Sequence, residues 1–235
     1  DIASGVAETS GNPQDAAALS AMLHTLETAH AEWRRLLRGG ARHHQRTWAD
    51  RERRTRLLRV FEPVFVPGLL QTEGYARYRL AQAITVFGAS SDLDEAVRAR
   101  MMRQESLYDS RKRFHFVITE AALRYRLCPP QVMLPQLDRL VAATTLPNVR
   151  LGVIAFDTPY VIAPGHGFWM FDDETVLVEI FSAELALAQP QEIDLYEKVF
   201  AAMASAAAYG ADARAVLTRV MEELHSTLPD DQRNF

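Results

Sequence analysis

Residues 167–181, GFWMFDDETVLVEIF, hold two apolar runs on either side of an acidic turn. Gly167 to Met170 and Thr175 to Phe181 are aromatic or β-branched, and Asp172-Asp173-Glu174 between them is turn chemistry, so the stretch predicts a β-hairpin. Working back along the chain, residues 114–119 (FHFVIT) and 148–156 (NVRLGVIAF) are the other short β-branched runs, and they predict two further strands. Between them Pro129-Pro130 precedes a helix expected at about 131–145. Beyond the hairpin, residues 191–228 are Ala-rich and read as helical, with a break at Gly210.

Upstream of residue 114 the periodicity is helical. Leu19, Met22, Leu23, Leu26, His30 and Trp33 make one apolar stripe, which Gly39-Gly40 ends. A second helix is expected over residues 43–59, with Leu57, Leu58, Val60 and Phe61 as its apolar part and no strand before 114. Pro63 and Pro67 break the pattern. Thr72 can cap a helix that begins at Glu73 and ends near Gly88. Ser90-Ser91-Asp92 starts another, running from Leu93 to about Tyr108. The expected fold is α+β: a helical N-terminal segment, a small mostly antiparallel β-sheet and a helical C-terminal segment. The corresponding division is a linker at 1–14, the helical segment at 15–60, an α+β ligand-binding domain at 61–228 and a tail at 229–235.

At 235 residues, with 48% hydrophobic and 24% charged, the composition is that of a globular chain. No run of about 20 apolar residues is present, so no membrane partner is expected. Cys128 is the only cysteine, which excludes an internal disulfide and a cysteine zinc cage. A cytoplasmic setting is expected. The first residue is Asp, which suggests a processed or trimmed product. Net charge is −4, unevenly spread: residues 31–60 hold ten Arg against three acids, whereas 151–235 hold four bases against fourteen acids. That acidic third argues against a nucleic-acid coat. There is no Gly-rich phosphate loop, HExxH or GxSxG. His43-His44 are adjacent, so they cannot face one metal from one helix face. No metal and no cofactor is implied.

Val66-Pro67-Gly68-Leu69-Leu70-Gln71-Thr72, followed by Tyr75-Ala76-Arg77, resembles the signature of an actinobacterial family of unknown-function domains. In that family the domain follows an XRE-type helix-turn-helix in antitoxin-like regulators. Glu52 with Phe61-Glu62-Pro63, Val97-Arg98-Ala99-Arg100 with Arg103-Gln104, and Phe116 through Glu120 to Arg124 continue the likeness in order. Gln136-Leu137, Pro147 to Arg150, and Val176 to Glu179 complete it. The helix-turn-helix itself has no counterpart here. The resemblance therefore implies the effector half of a transcriptional regulator, touching DNA only through a reader absent from this chain.

Three functions follow as expectations. The first is a sensing domain for a small apolar or aromatic molecule. The second is a cofactor-independent natural-product cyclase on the same scaffold. The third is an antitoxin-like module that binds a small partner protein; a homodimer is compatible with each. The expected ligand-binding residues are Gln71, Tyr75, Tyr78, Glu120, Tyr160, His166, Trp169 and Phe171. Tyr75 and Tyr78 are three apart on one helix. Gln71 is the residue of its loop that turn-making and capping explain least. Tyr160, His166, Trp169 and Phe171 lie in or beside a Pro/Gly-interrupted loop, where aromatics carry function more often than in helices. Glu179, between Val178 and Ile180, needs a partner if it points inward, with Arg103 and Arg124 as candidates.

Overall fold

The computed structural model describes residues 41–87, 92–160, 162–181 and 183–229. The expectations for residues 1–40, for Ser90-Ser91 and for 230–235 lie outside these.

Helix α1 (Ala41–Arg54) does not run on to residue 59. It stops at Arg54, and Leu57–Glu62 forms a strand, β1. Two groups enforce the stop. Lys112 Nζ donates to the carbonyls of Glu52, Arg53 and Thr55 at 2.8, 2.9 and 2.6 Å, saturating the helix end. The Asp172 carboxylate accepts the amides of Arg56 (3.1 Å) and Leu57 (2.7 Å) and draws the chain into the sheet.

A single-turn 3-10 helix (Gly68–Leu70) leads to α2 (Glu73–Phe87), capped as expected by Thr72, whose hydroxyl accepts the Tyr75 amide at 3.3 Å. Then come α3 (Leu93–Arg103), a 3-10 turn (Gln104–Tyr108) and β2 (Arg113–Thr119). Helices α4 (Glu120–Arg124) and α5 (Pro130–Ala143) lead to β3 (Val149–Ile154). The hairpin is β4 (Phe168–Phe171) and β5 (Thr175–Ile180), and a sixth strand, β6 (Ala183–Leu187), pairs with β5. Two helices follow: α6 (Pro190–Ala206), opened by a Gln189/Glu192 capping box, and α7 (Gly210–Ser226). The break between them falls at Gly210, with φ +56.

The strands form one sheet in the order β3-β2-β1-β4-β5-β6. The β1–β2 and β2–β3 pairs are parallel, and β1–β4, β4–β5 and β5–β6 are antiparallel. The fold is thus α+β, with a mixed sheet and helical segments on both sides. The expected boundary at residue 60 falls inside β1, which is the third strand of that sheet.

Both faces are covered. On one face Leu58, Val60, Phe116, Ile118, Leu151 and Leu177 pack with Trp48, Leu70, Tyr75, α5 and α7. On the other, Phe61, Val117, Ile154, Phe168, Met170 and Val178 pack under Ile193, Phe200 and Met203 of α6. Alternation puts Glu62 and Glu179 on the first face. No helix among the described residues is long and apolar enough to cross a membrane.

Candidate functional site

The VPGLLQT loop is clamped from inside by three glutamines. Gln71 Nε2 donates to Val66 O (2.7 Å), and its Oε1 accepts from Arg100 Nη1 (2.8 Å). Gln104 Nε2 donates to the carbonyl of Gln71 at 2.5 Å. Gln136, fully buried, accepts the Thr72 amide (2.7 Å) and donates to Leu70 O (2.8 Å). Leu69 and Leu70 are buried beneath. The loop is therefore an internal keystone joining α2, α3 and α5. Gln71 spends its carbonyl oxygen and one amide hydrogen inside the protein.

The other expected site residues fall in separate places. Tyr75 is 1% exposed and accepts the Val66 amide at 3.3 Å, whereas Tyr78 is 41% exposed, so the two do not share one surrounding. Burial pushes the Tyr75 hydroxyl up to about 12. Glu120 is fully buried. It holds Arg124 (2.6 Å), Arg219 (3.0 Å) and the Phe156 amide (3.0 Å), three donors that together keep its carboxyl below the ordinary range against the cost of burial. Trp169 meets Trp48 edge-on at 5.1 Å, and Phe171 meets the same indole at 5.8 Å, on the α1 side of the sheet. His166 belongs to the opposite side: its Nδ1 faces Gly167 O at 3.1 Å, and Tyr196 of α6 reaches its Nε2 at 3.3 Å. Tyr160 lies on the loop between β3 and β4.

That loop defines the most suggestive edge of the molecule. Strands β3 and β4 are separated by β2 and β1, so residues 155–167 must cross the carboxyl ends of both. Connections leave β1 toward β2 but return from β3 to its other side. This is a topological switch, the usual ligand position in open α/β sheets. The same edge carries exposed apolar side chains: Val64 after β1, Phe156 after β3, Tyr160 and Ile162 on the crossing loop, and Ile180 and Phe181 at the end of β5. Phe181 is 87% exposed.

Just inside this edge lies a layer of charge that the sequence reading did not assemble. Glu62, the last residue of β1, is 2% exposed, and its Oε2 has no hydrogen-bond partner. Burial, and next the charge of Glu179, push its carboxyl well above the ordinary range; Arg79 and the Val64 amide pull the other way. Arg79 lies over the Phe65 ring at 4.4 Å. Arg100 is lowered to about 9, first by burial and then by Arg103 and Arg79, with Glu179 and Glu52 opposing. Arg103 pairs with Glu52, and Arg124 with Glu120 and Glu223; the charge of Glu179 raises both Glu62 and Arg100. The sequence signal for Glu62 was an acid closing an apolar run, LLRVFE, before a proline.

Elsewhere, a concavity of about 450 Å³ between the hairpin turn and α6 is lined by Asp173, Glu174, Ile193, Asp194 and Glu197, none of them an expected site residue. Among the described residues no group of three or more His, Cys, Asp or Glu is placed to hold a metal ion. Cys128 is buried, and burial raises its thiol.

The sequence profile of the family described as Domain of unknown function (DUF5753) matches residues 45–219, and the chain belongs to that family. No curated protein is similar enough to this chain to give a match.

Proposed function

We propose that this chain is a ligand-binding effector domain that takes a small apolar or aromatic molecule at the carboxyl edge of its sheet. The observation that carries this reading is the rim of exposed apolar side chains gathered there, Val64, Phe156, Tyr160, Ile162, Ile180 and Phe181, at a switch in strand direction. Most exposed apolar residues stand singly. Here the topology sets six at one edge. In this reading the domain serves an XRE-type regulator of the actinobacterial kind its signature resembles, and occupancy biases a helix-turn-helix encoded upstream of Asp1.

A titration with an apolar fluorophore, anilinonaphthalene sulfonate, tests the site. Saturable binding that Phe181→Asp and Tyr160→Ala each weaken severalfold, at unchanged melting temperature, supports it. Binding indifferent to both substitutions overturns it. A second reading, a cofactor-independent cyclase, is favoured by one observation: Glu62 and Glu179 flank Gly167 on one face of the sheet, one buried and raised, the other half-buried, and acids in unequal surroundings separate into acid and base roles. Conversion of a bound compound, abolished by Glu179→Gln while its affinity persists, would decide for the enzyme.

A further inference from the structure

The rim indicates where an apolar molecule would sit. What that molecule carries is a matter for the group behind the rim. Buried carboxyl groups are ordinarily satisfied, as Glu120 is by three donors. Glu62 is not: its Oε2 is buried with no partner. Leu58 and Val60 fill the preceding positions on the same face of β1, so the acid ends an apolar row.

The acid packs tightly against the neighbouring strand. A Cβ at position 167 would lie 2.7 Å from Glu62 Oε1 and 2.9 Å from Oε2. Gly167 is not there for its backbone, since Gly210 is the described glycine with positive φ. It is there because a side chain would strike the carboxyl. Continuing the β1–β4 and β4–β5 registers sets Gly167 between Glu62 and Glu179, so a residue with no side chain separates two acids on one face. Glu179 is half-buried.

Resting on the edge-site reading above, we propose that Glu62 is the polar anchor of the ligand, its carboxyl donating a hydrogen bond to a carbonyl or enol oxygen. Gly167 gives that carboxyl the room it occupies on the sheet face. The groups around Glu62 suit that role. Burial opposes its ionisation most and Glu179 of β5 next, whereas Arg79 of α2 and the Val64 amide favour it; the net shift is toward the acid form, and Tyr75 of α2 lies close enough to feel its charge. The ligand class is accordingly an apolar molecule bearing a ketone or an enolised dicarbonyl.

The test compares 1-phenylbutane-1,3-dione with butylbenzene, which has a similar apolar outline and no oxygen, by calorimetric titration. Wild type should bind the diketone about tenfold more tightly, the worth of one ordinary hydrogen bond. Glu62→Leu should erase the difference, Glu62→Gln should keep part of it through its amide donor, and Gly167→Ala should weaken the diketone alone. Equal affinities in wild type, or a difference that survives Glu62→Leu, overturn the proposal. So does failure of wild type to bind either compound, and the fluorophore titration with Phe181→Asp then tells whether the edge site fails with it. Infrared spectroscopy gives a readout free of ligand: a carboxylic-acid carbonyl band near neutral pH, lost in Glu62→Gln. Its absence from wild type also overturns the proposal.

Discussion

Glu52 of α1 and Arg103 at the end of α3 meet in a two-bonded ion pair, at 2.5 and 2.9 Å, with both side chains shielded from solvent. Trp48 lies against the same guanidinium, 5.5 Å from ring centre to carbon. The pair pins α1 to the helical layer. Removing one partner strands a buried charge, so Arg103→Met should cost about 3–5 kcal/mol. The double variant Glu52→Leu/Arg103→Leu should recover most of that. Urea denaturation of the three proteins checks both statements, and a double variant as weak as the single one would refute the pair's role.

Lys112 should matter more than an ordinary surface lysine. Its ammonium saturates three carbonyls at the end of α1, and Lys112→Met leaves them unmet. The expected loss is about 2 kcal/mol, the upper range for bonds to a charged donor. A change in denaturation midpoint within error of zero would show that water replaces the ammonium without penalty.

Trp169→Ala should act on stability before it acts on any ligand. The indole leans edge-on against Trp48 on the α1 side of the sheet. Loss of that contact should cost about 3 kcal/mol. Melting temperature and fluorophore affinity measured on the same variant separate the two effects. Unchanged stability with lost affinity would return Trp169 to the binding site.

Two groups, one half-buried and one buried, give opposite pH signatures. His115 is depressed to about 4, by burial first and then by the charges of Arg150 and Arg59. Its contribution is complete above the unfolded value of about 6.5 and is lost as pH falls through about 4. Glu62 is raised, so its contribution is complete below 4.5 and is lost as pH rises through its folded value. Stability against pH should therefore flatten on the acid side in His115→Gln and on the alkaline side in Glu62→Gln. Curves parallel to wild type in both would refute the assignment.

The hairpin was legible because its strands are neighbours in sequence and its turn is written in acids; Asp172 takes φ 50 there. The helices after Thr72 and Asp92 were legible for similarly local reasons. β1 was not. Leu57, Leu58, Val60 and Phe61 fit one helix face as well as they fit a strand covered on both sides, and the ending of α1 is decided by Lys112 and Asp172, far along the chain. β6, AELAL, also reads as helix and becomes a strand only by pairing with β5. Of the site, the crossing loop and its aromatics were visible. The state of Glu62 was not, because it depends on Gly167, Glu179 and Arg79, which only the tertiary fold assembles.

The place of β1 in the sheet has a consequence for synthesis on the ribosome. Its parallel neighbour β2 follows two helices later, but its other neighbour, β4, is made only after β3 and the long loop beyond it. Until residue 171 has emerged, a nascent chain holds three parallel strands with one flank of β1 unpaired, an adhesive edge. The late hairpin, quick to form because its contacts are local, then caps that flank. Folding in the cell thus hinges on a segment delivered after all three parallel strands, and slow codons before residue 168 would lengthen the interval in which this domain can aggregate.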